Sequence, residues 1–169
     1  MLVVFGGLPG TGKTTLASAY AHELQATYLR IDTIEQALRA SGTLAADVGA
    51  AGYQVAYALA EANLRLGRTV VADSVNPLAV TRRAWREIAA SAAAAIFEVE
   101  LVCSDADEHR RRIESRVPDI EGLRLPTWQQ VVDRAYDPWD QPHLVLDTAG
   151  RSPDEALAEL RAAIVGLRG

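Results

Sequence analysis

The sequence predicts an α/β domain whose parallel sheet is covered by helices on both faces. Short apolar runs alternate with helical stretches along the 169 residues, as expected where helices connect the strands of one sheet. The first run, residues 2–5, has no polar alternation, which is typical of a strand buried on both faces. A single domain is predicted over residues 1–169, because domains usually contain roughly 100–200 residues.

The strands are predicted where β-branched and other apolar residues cluster. They cover residues 2–5, 27–31, 69–73, 95–103 and 144–147. The longest helical stretches between them cover residues 13–25 and 47–66. The second of these stretches ends at Gly67, because glycine favours the position that follows a helix.

Capping residues predict where the other helices begin. N-cap and capping-box patterns stand at Thr33 with Gln36, Asn76 with Pro77, Ser104, Thr127 with Gln130, and Ser152 with Glu155. The first pattern starts a helix near residue 34, and the helix after Ser104 extends to residue 118. In parallel sheets of this kind, ligands bind beyond the carboxyl ends of the strands, so that residues that follow strands are the functional candidates.

Composition and charge exclude several classes of protein. Basic residues number 17 and acidic ones 22, which gives a formal net charge of −5 in an ordinary globular mixture. No apolar run approaches the roughly 18–20 residues that span a bilayer, and the N-terminus lacks the basic region of a secretory signal. We therefore expect a cytoplasmic protein that does not bind membranes. Lys13 is the only lysine, so that any chemistry that needs an ammonium group uses Lys13.

The strongest motif begins directly after the first strand. Residues 7–14 read GLPGTGKT, which matches G-x-x-x-x-G-K-[ST] in full, and a helical stretch follows them. Glycines let backbone N–H groups curl around phosphate oxygens, and the helix N-terminus adds its partial positive charge. Lys13 is expected to reach the β- and γ-phosphates of a nucleoside triphosphate, and the Thr14 hydroxyl to hold Mg²⁺. The expected nucleotide-binding residues are Pro9, Gly10, Thr11, Gly12, Lys13, Thr14 and Thr15.

The motif indicates a P-loop protein, and the rest of the chain favours a phosphotransferase. We expect ATP as the nucleotide, because the sequence has no base-reading motif of the GTPase type. A mechanical AAA-type ATPase would have an apolar strand that ends in Asp-Glu. Residues 70–74 read VVADS and lack the second acid, and the chain is short for such a motor.

Two aspartates end predicted strands at the sheet edge that carries the motif. A kinase acceptor hydroxyl needs a carboxylate that orients it and takes its proton, so that Asp32 is the candidate general base. The alternative is that Asp32 only caps its helix, although Thr33 has the better spacing for a cap. Asp73 would hold Mg²⁺, or would instead order its loop through Asn76 or Thr81.

An arginine cluster follows the fourth strand, at residues 110–112, with Arg116 one turn beyond. A helix would place Arg112 and Arg116 on one face, where they can clamp the transferring phosphoryl group. We expect residues 105–126 to form a short helical lid, because prolines and a glycine follow the arginines. The alternative is a solvated charged face that pairs with Glu108 and Glu114.

Candidates for the acceptor side of the site combine polar and aromatic side chains, as small-molecule pockets do. Besides Asp32, they are Tyr53, Arg82, Arg83 and Trp128. Aromatic side chains at helical spacing pack more often in a core than in a pocket, which is the alternative for Tyr53 and Trp128.

In this order, the motifs resemble those of small P-loop kinases, a group partly classed as AAA-type ATPases. The group includes the polynucleotide 5′-hydroxyl kinase domain, the zeta-toxin sugar-nucleotide kinases and the chloramphenicol phosphotransferases. The resemblance covers roughly residues 1–150. It rests on GLPGTGKT, an aspartate after the second strand, Asp-x-x-Asn-Pro followed by Arg-Arg after the third, and Arg-x-x-x-Arg in a lid.

The resemblance implies a P-loop NTPase fold, a three-layer αβα sandwich with a five-stranded parallel sheet of nucleoside-kinase type. It also implies ATP-dependent phosphorylation of a hydroxyl group. By position, the implied site residues are Lys13 and Thr14 as phosphate and magnesium ligands, Asp32 as base, and Arg116 with Arg112 as lid arginines.

The function expected from these observations is phosphorylation of a small molecule or nucleotide. Polynucleotide kinases carry an arginine three residues after the base, where this chain has Glu35. This difference and the net charge of −5 disfavour a long nucleic acid as partner. Two alternatives stay open. One is a polynucleotide 5′-hydroxyl kinase, and the other is a nucleotide-dependent switch or regulatory ATP-binding protein, which needs no acceptor base.

Overall fold

Five strands form one parallel sheet in the computed structural model, which describes residues 1–42 and 47–166. The strands are β1 (Leu2–Gly6), β2 (Thr27–Arg30), β3 (Val70–Asp73), β4 (Ile96–Val102) and β5 (Leu144–Asp147). They lie in the order β2-β3-β1-β4-β5, and every pairing is parallel. All five predicted strands are therefore confirmed, and their ends differ by at most one residue from the prediction.

Seven helices among the described residues cover both faces of the sheet. They are α1 (Lys13–Glu23), α2 (Ile31–Ala40), α3 (Ala51–Arg65), α4 (Ala79–Ser91), α5 (Ala106–Glu114), α6 (Trp128–Val132) and α7 (Pro153–Gly166). This arrangement of helices around a five-stranded parallel sheet confirms the fold class that the sequence predicts.

Two apolar layers explain why β1 contains no polar residue. Val3 and Phe5 belong to a buried cluster with residues of α1 and α7, whereas Leu2 and Val4 belong to a second cluster with residues of α3 and α4. All four side chains are fully buried. Burial of each such side chain stabilises the fold by about 2 kcal/mol. The loop that follows β1 is thus attached to a strand packed firmly on both faces.

Helix α2 begins earlier than the capping pattern predicts. Its first residue is Ile31, directly after β2, and Thr33 lies inside the helix instead of capping it. The strand leads into the helix without a loop, because Arg30 keeps an extended backbone at the N-cap position. Asp32 consequently lies in the first turn of α2, where the helix dipole stabilises a carboxylate.

Two further helix starts predicted from capping residues are wrong. Asn76 does not cap α4; it has a left-handed backbone with φ 51°, and its side-chain oxygen accepts a hydrogen bond from Thr81 at 2.8 Å. Asparagine tolerates this conformation better than most residues. Helix α5 is capped by the side chain of Asp105 and not by Ser104, whose amide donates elsewhere.

The capping boxes at the last two helices are confirmed. Thr127 and Gln130 exchange side chain–backbone hydrogen bonds at the start of α6. Ser152 and Glu155 form the same reciprocal pair at the start of α7. These patterns predict correctly because both partners lie within one turn of each other.

The carboxyl ends of β1, β2 and β3 meet at one edge of the sheet. The loop after β1, the first turn of α2 and the loop after β3 therefore lie side by side. No helix in the described part of the chain is long and apolar enough to cross a membrane.

Candidate active site

The loop between β1 and α1 has the backbone that a phosphate cradle requires. Gly7, Gly10 and Gly12 have φ angles of 128°, 84° and 87°, in the region that glycine adopts without strain. Helix α1 begins directly after Gly12, and the first N–H groups of a helix have no partners within it. The loop and the helix start together fit the phosphate groups of a nucleotide.

Helix α5 packs against the outside of this loop. A Cβ atom on Gly10 would lie 2.6 Å from Cδ1 of Ile113, so that a larger residue would push α5 away. His109 is buried, and its Nε2 donates to the Pro9 carbonyl oxygen at 2.7 Å. The sequence does not reveal this role of His109, because the contact joins distant parts of the chain and follows no motif.

Lys13 is buried next to the loop, and its Nζ donates to a carbonyl oxygen of the loop at 2.7 Å. Burial lowers the pKa of the Lys13 ammonium group to about 8. The carboxylates of Asp73 and Asp32 oppose this lowering, whereas the charges of Arg116 and Arg134 add to it. Two carboxylates and two arginines thus lie close enough to Lys13 to act on its charge.

A cleft of about 880 Å³ opens beside the loop at the carboxyl edge of the sheet. Its wall combines the loop, α2, α3, the segment after β3 and the segment between α5 and α6. The predicted site residues in this wall are Pro9, Lys13, Thr14, Asp32, Tyr53, Asp73 and Arg116. The structure therefore brings the candidate phosphate ligands and the candidate base to one cleft.

The other predicted nucleotide-binding residues lie outside the cleft wall. Thr11 is buried, and its hydroxyl donates to the Leu8 carbonyl oxygen at 2.9 Å, which stabilises the curl of the loop. Thr15 is exposed on α1. Thr11 therefore shapes the phosphate cradle, and a role for Thr15 stays a prediction.

Asp32 faces the cleft from the first turn of α2. Its side chain is 43% exposed, so that a molecule in the cleft can reach the carboxylate. One of its oxygens lies 3.8 Å from an Nη atom of Arg30. This accessible carboxylate near a buried lysine is compatible with the role of a general base.

Asp73 ends β3 and is almost completely buried. Its Oδ2 accepts a hydrogen bond from the Tyr28 hydroxyl at 2.7 Å and lies 4.0 Å from Nε of Arg30. Burial, followed by the charge of Asp73, raises the pKa of Tyr28, so that the phenol stays protonated and continues to donate. Thr81 bonds to Asn76 instead, so that Asp73 does not order its loop through these two residues.

Arg30 is a residue of this site that local sequence patterns do not reveal. Its side chain is only 8% exposed at the end of β2, and it binds the Asp119 carboxylate at 2.5 and 3.0 Å. The parallel pairing of β2 with β3 places Arg30 opposite Asp73. A signal for Arg30 could have come only from this strand register.

The two arginines expected to clamp a phosphoryl group diverge. Helix α5 ends at Glu114, so that Arg116 lies in the following loop, where its side chain lines the cleft. Arg112 stays on α5 and donates to the hydroxyl and carbonyl oxygens of Thr148 at 2.8 Å each, and to Glu108 at 2.6 Å. The prediction that Arg112 and Arg116 share one helix face is therefore wrong, because α5 ends before Arg116.

Arg112 instead supports the phosphate loop from behind. The Thr148 hydroxyl that accepts from Arg112 lies 3.1 Å from the carbonyl oxygens of both Thr11 and Val102 and shares its single proton between them. Arg134, which follows α6, lines the cleft together with Arg116, and the charges of both act on Lys13. The cleft wall thus contains Arg116 and Arg134, and not Arg112.

Arg82 does not fit its expected role as a substrate ligand, because it is fully buried below the cleft. Its guanidinium donates to the backbone carbonyl oxygens of Asn76, Asp137 and Pro138 and lies 4.7 Å from the centre of the Trp139 ring. These contacts tie the segment after α6 to the loop after β3.

Of the remaining acceptor-side candidates, one lies in the cleft wall and two lie outside it. Tyr53 lines the cleft, and its hydroxyl accepts a hydrogen bond from the Asn76 amide at 3.1 Å. Arg83 is exposed on α4 and lies outside the cleft wall. Trp128 packs edge-on against His109, with ring centres 5.2 Å apart, and is likewise outside the wall. Of the aromatic candidates, only Tyr53 can reach a molecule in the cleft.

No group of three or more His, Cys, Asp or Glu side chains within residues 1–42 and 47–166 is arranged to hold a metal ion. Thr14 and Asp73 both line the cleft and offer oxygen atoms. Mg²⁺ commonly binds through one or two protein oxygens together with substrate phosphates and water. The residues present therefore fit Mg²⁺ that arrives with a nucleotide.

The fold and the cleft together define a P-loop kinase-like protein. The chain belongs to the family described as AAA domain, whose family model matches residues 2–136. This membership agrees with the resemblance to small P-loop kinases that the motifs indicate.

Curated relatives occur in mycobacteria. An uncharacterized protein of Mycobacterium tuberculosis (strain H37Rv) is 31% identical over 179 aligned residues, which cover 96% of this chain and 35% of the relative. An uncharacterized protein of Mycobacterium bovis matches to the same extent. The chain thus spans about a third of the length of the curated relatives it matches.

Solved kinase structures share the fold. The APS kinase CysC of Mycobacterium tuberculosis, in complex with AMPPNP and APS, has a TM-score of 0.70 and 26% identity over 96% of each chain. A gluconokinase from Sinorhizobium meliloti has a TM-score of 0.68 and 20% identity over 98% of this chain and 91% of its own. Kti12 of Chaetomium thermophilum, in complex with ADP-AlF3, has a TM-score of 0.70 and 22% identity over 97% of this chain and 99% of its own. These likenesses confirm the predicted P-loop kinase fold.

Proposed function

We propose that the chain is an ATP- and Mg²⁺-dependent phosphotransferase that phosphorylates a hydroxyl group of a small molecule or nucleotide. The observation that carries the proposal is the shared cleft, whose wall includes Lys13, Thr14 and the accessible carboxylate of Asp32. The complexes of the similar APS kinase with AMPPNP and of Kti12 with ADP-AlF3 support a nucleotide at the corresponding place.

Positive charge around the cleft suits the transferred phosphoryl group. Lys13 binds oxygens of the β- and γ-phosphates, and Arg116 and Arg134 neutralise charge that develops during transfer. Thr14 and Asp73 would hold Mg²⁺, and the bound ion would supply further neutralisation of the phosphate charge. The burial of Lys13 strengthens its interaction with phosphate, because little water competes for the ammonium group.

Asp32 acts on the acceptor. It orients the acceptor hydroxyl and takes its proton, while the acceptor oxygen forms a bond to the γ-phosphorus and the bond from that phosphorus to the ADP oxygen breaks. The products are ADP and a phosphate monoester. Catalysis then comes mainly from positioning and charge neutralisation, as in other phosphoryl transfers.

The size of the cleft favours a small acceptor. Its volume of about 880 Å³ lies within the range of small-molecule pockets. Asp32, Glu35 and Asp73 all line it, and burial raises the pKa of Glu35. The wall also carries the basic side chains of Lys13, Arg39, Arg116, Arg124 and Arg134, so that the volume of the cleft, and not the charge of its wall, favours a small acceptor over a polynucleotide.

The test is a transfer assay with γ-labelled ATP, magnesium and a panel of D-glucose, D-gluconate, adenosine, chloramphenicol and a 5′-hydroxyl oligonucleotide. We expect a labelled small-molecule product, and Asp32→Asn should lower kcat by about 10²–10⁴-fold with nucleotide binding retained. Asp154→Asn is the matched control, because Asp154 is exposed at the same second position of α7 that Asp32 occupies in α2.

The other outcomes separate the alternatives. A labelled oligonucleotide as the main product would identify a polynucleotide kinase. Nucleotide binding with no labelled product from any panel compound would favour a switch or regulatory protein. Unchanged turnover in Asp32→Asn would show that Asp32 is not the base.

A further inference from the structure

A loop between two helices covers part of the cleft. We refer to residues 115–127, between α5 and α6, as the covering loop. Six of its residues line the cleft, namely Arg116, Gly122, Leu123, Arg124, Leu125 and Pro126. The position of this loop therefore decides how much water and how much positive charge the cleft contains.

Two contacts dock the covering loop onto the start of α2 and the end of β2. Asp119 binds Arg30 through both carboxylate oxygens, at 2.5 and 3.0 Å. Gly122 packs on Gln36, since a Cβ atom at this glycine would lie 2.6 Å from the Gln36 amide nitrogen. Hydrogen bonds from the Arg30 guanidinium hold the pKa of the Asp119 carboxyl below its usual value. The ion pair is thus the polar part of this contact.

The same guanidinium also faces the two carboxylates of the site. An Nη atom of Arg30 lies 3.8 Å from Asp32, and its Nε lies 4.0 Å from Asp73. The Arg30 side chain is 8% exposed, and its Nε makes no hydrogen bond to any described residue. One buried cation therefore adjoins the candidate base, the candidate metal ligand and the covering loop.

We propose that Arg30 is a positioning residue for phosphoryl transfer, and that its ion pair with Asp119 couples docking of the covering loop to the orientation of Asp32. This inference rests on the proposed function, because it takes Asp32 as the base. A guanidinium is a planar fork with fixed donor directions. While Asp119 holds both outer nitrogens, the fork cannot turn to bind Asp32 at hydrogen-bond distance, and the Asp32 oxygens stay available to the acceptor.

Loss of the Asp119 contact has two consequences. The guanidinium is then free to bind Asp32 directly, which occupies lone pairs that the acceptor hydroxyl needs. The covering loop also loses its polar anchor, and with it the placement of Arg116, whose Nη2 lies 3.9 Å from Asp119. Transfer should therefore slow although the nucleotide still binds to the phosphate loop.

The experiment compares Asp119→Asn with Glu121→Gln. Glu121 is an exposed acid of the same loop outside the cleft wall, so that each variant removes one negative charge from the loop. Trypsin cleavage after Arg116 and Arg124 measures how often the loop opens, and this readout does not depend on activity. The second readout is kcat and KM in the transfer assay, with the compound of the stated panel that is phosphorylated fastest.

We expect trypsin to cleave the loop of Asp119→Asn about 10-fold faster than wild type, and kcat to fall about 10–100-fold, since small misplacements of reacting groups have effects of this size. The dissociation constant of ADP should change little, and Glu121→Gln should match wild type throughout. Arg30→Lys keeps the charge but lacks the fork, and combined with Asp119→Asn it should lower kcat no further than Asp119→Asn alone.

Each contrary result overturns one part of the proposal on Arg30 and Asp119. Cleavage of Asp119→Asn at the rate of Glu121→Gln would show that the ion pair does not hold the loop. Faster cleavage with unchanged kcat would show that Arg30 does not position the base, and additive losses in the double variant would show the same. If wild type phosphorylates no panel compound, the proposed function fails and the positioning role with it, whereas faster cleavage would still demonstrate the anchor.

Discussion

Nucleotide binding to this chain should take up a proton above neutral pH. The perturbation is the phosphate charge itself, which stabilises the charged form of Lys13 against the burial that lowers its pKa to about 8. With a pKa of about 8 before binding and at least the ordinary 10.5 afterwards, the uptake is about 0.1 proton at pH 7, 0.5 at pH 8 and 0.9 at pH 9. Binding takes up protons and does not release them. Burial disfavours the ammonium form of Lys13 before binding, and the phosphate charge favours that form afterwards.

Isothermal titration calorimetry with ADP and magnesium measures this uptake. The observed enthalpy is compared between buffers of different ionisation enthalpy at pH 7, 8 and 9, and its slope gives the number of protons. A phosphate group with a second pKa of about 6 is about 0.1 protonated at pH 7 and offsets the Lys13 uptake there, whereas at pH 8 and 9 it is ionised and adds little. Affinity should also weaken as pH rises above 8, because a growing fraction of Lys13 must first be protonated.

Lys13→Arg is the matched control, because a guanidinium stays charged across this pH range. If the variant binds ADP, its uptake should be close to zero at all three pH values. An uptake near zero in wild type at pH 9, or an equal uptake in Lys13→Arg, would refute the assignment of the buried ammonium group to the phosphate site. As the only lysine of the chain, Lys13 has no second ammonium side chain to confuse the result.

The remaining predictions concern other arginines. Arg82→Leu should lower the free energy of unfolding by about 3 kcal/mol in urea titrations, because three backbone carbonyl oxygens lose a buried donor. In the surface control Arg83→Leu, the free energy of unfolding should change by no more than about 0.5 kcal/mol. Equal losses would contradict the structural role of Arg82. Arg116→Gln should lower kcat by about 10²-fold, whereas Arg112→Gln should act mainly on KM for ATP, since Arg112 supports the loop from behind. Steady-state kinetics that show the same loss of kcat in both variants would refute this division.

The features that the sequence predicts correctly depend on neighbours along the chain. The phosphate loop follows from eight consecutive residues, and the glycines in it have the positive φ angles that the motif requires. The capping boxes at Thr127 and Ser152 are completed within one turn. The strands follow from apolar runs because a sheet covered on both faces needs apolar residues at every position.

The features that sequence patterns miss depend on register and on packing between distant segments. Nothing near Arg30 in the sequence indicates that β2 will pair with β3 and place it opposite Asp73, or that a loop far along the chain will supply Asp119. Arg112 and Arg116 illustrate the converse error. Their spacing is correct for one helix face, but α5 ends between them. The Arg112 guanidinium therefore binds Thr148, whereas that of Arg116 lines the cleft.

The junction between β2 and α2 fixes the backbone that carries the proposed base. Ile31 stands between Arg30 and Asp32 and is buried among residues of the α3 and α4 layer, so that the core fixes the point where strand becomes helix. Asp32 then extends from the first turn of α2, directly after this buried junction. In our proposal, the backbone of the first turn keeps its place, whereas the covering loop controls the Asp32 side chain through Asp119 and Arg30. The core then fixes where the proposed base is attached, and loop docking decides whether its carboxylate is available to the acceptor.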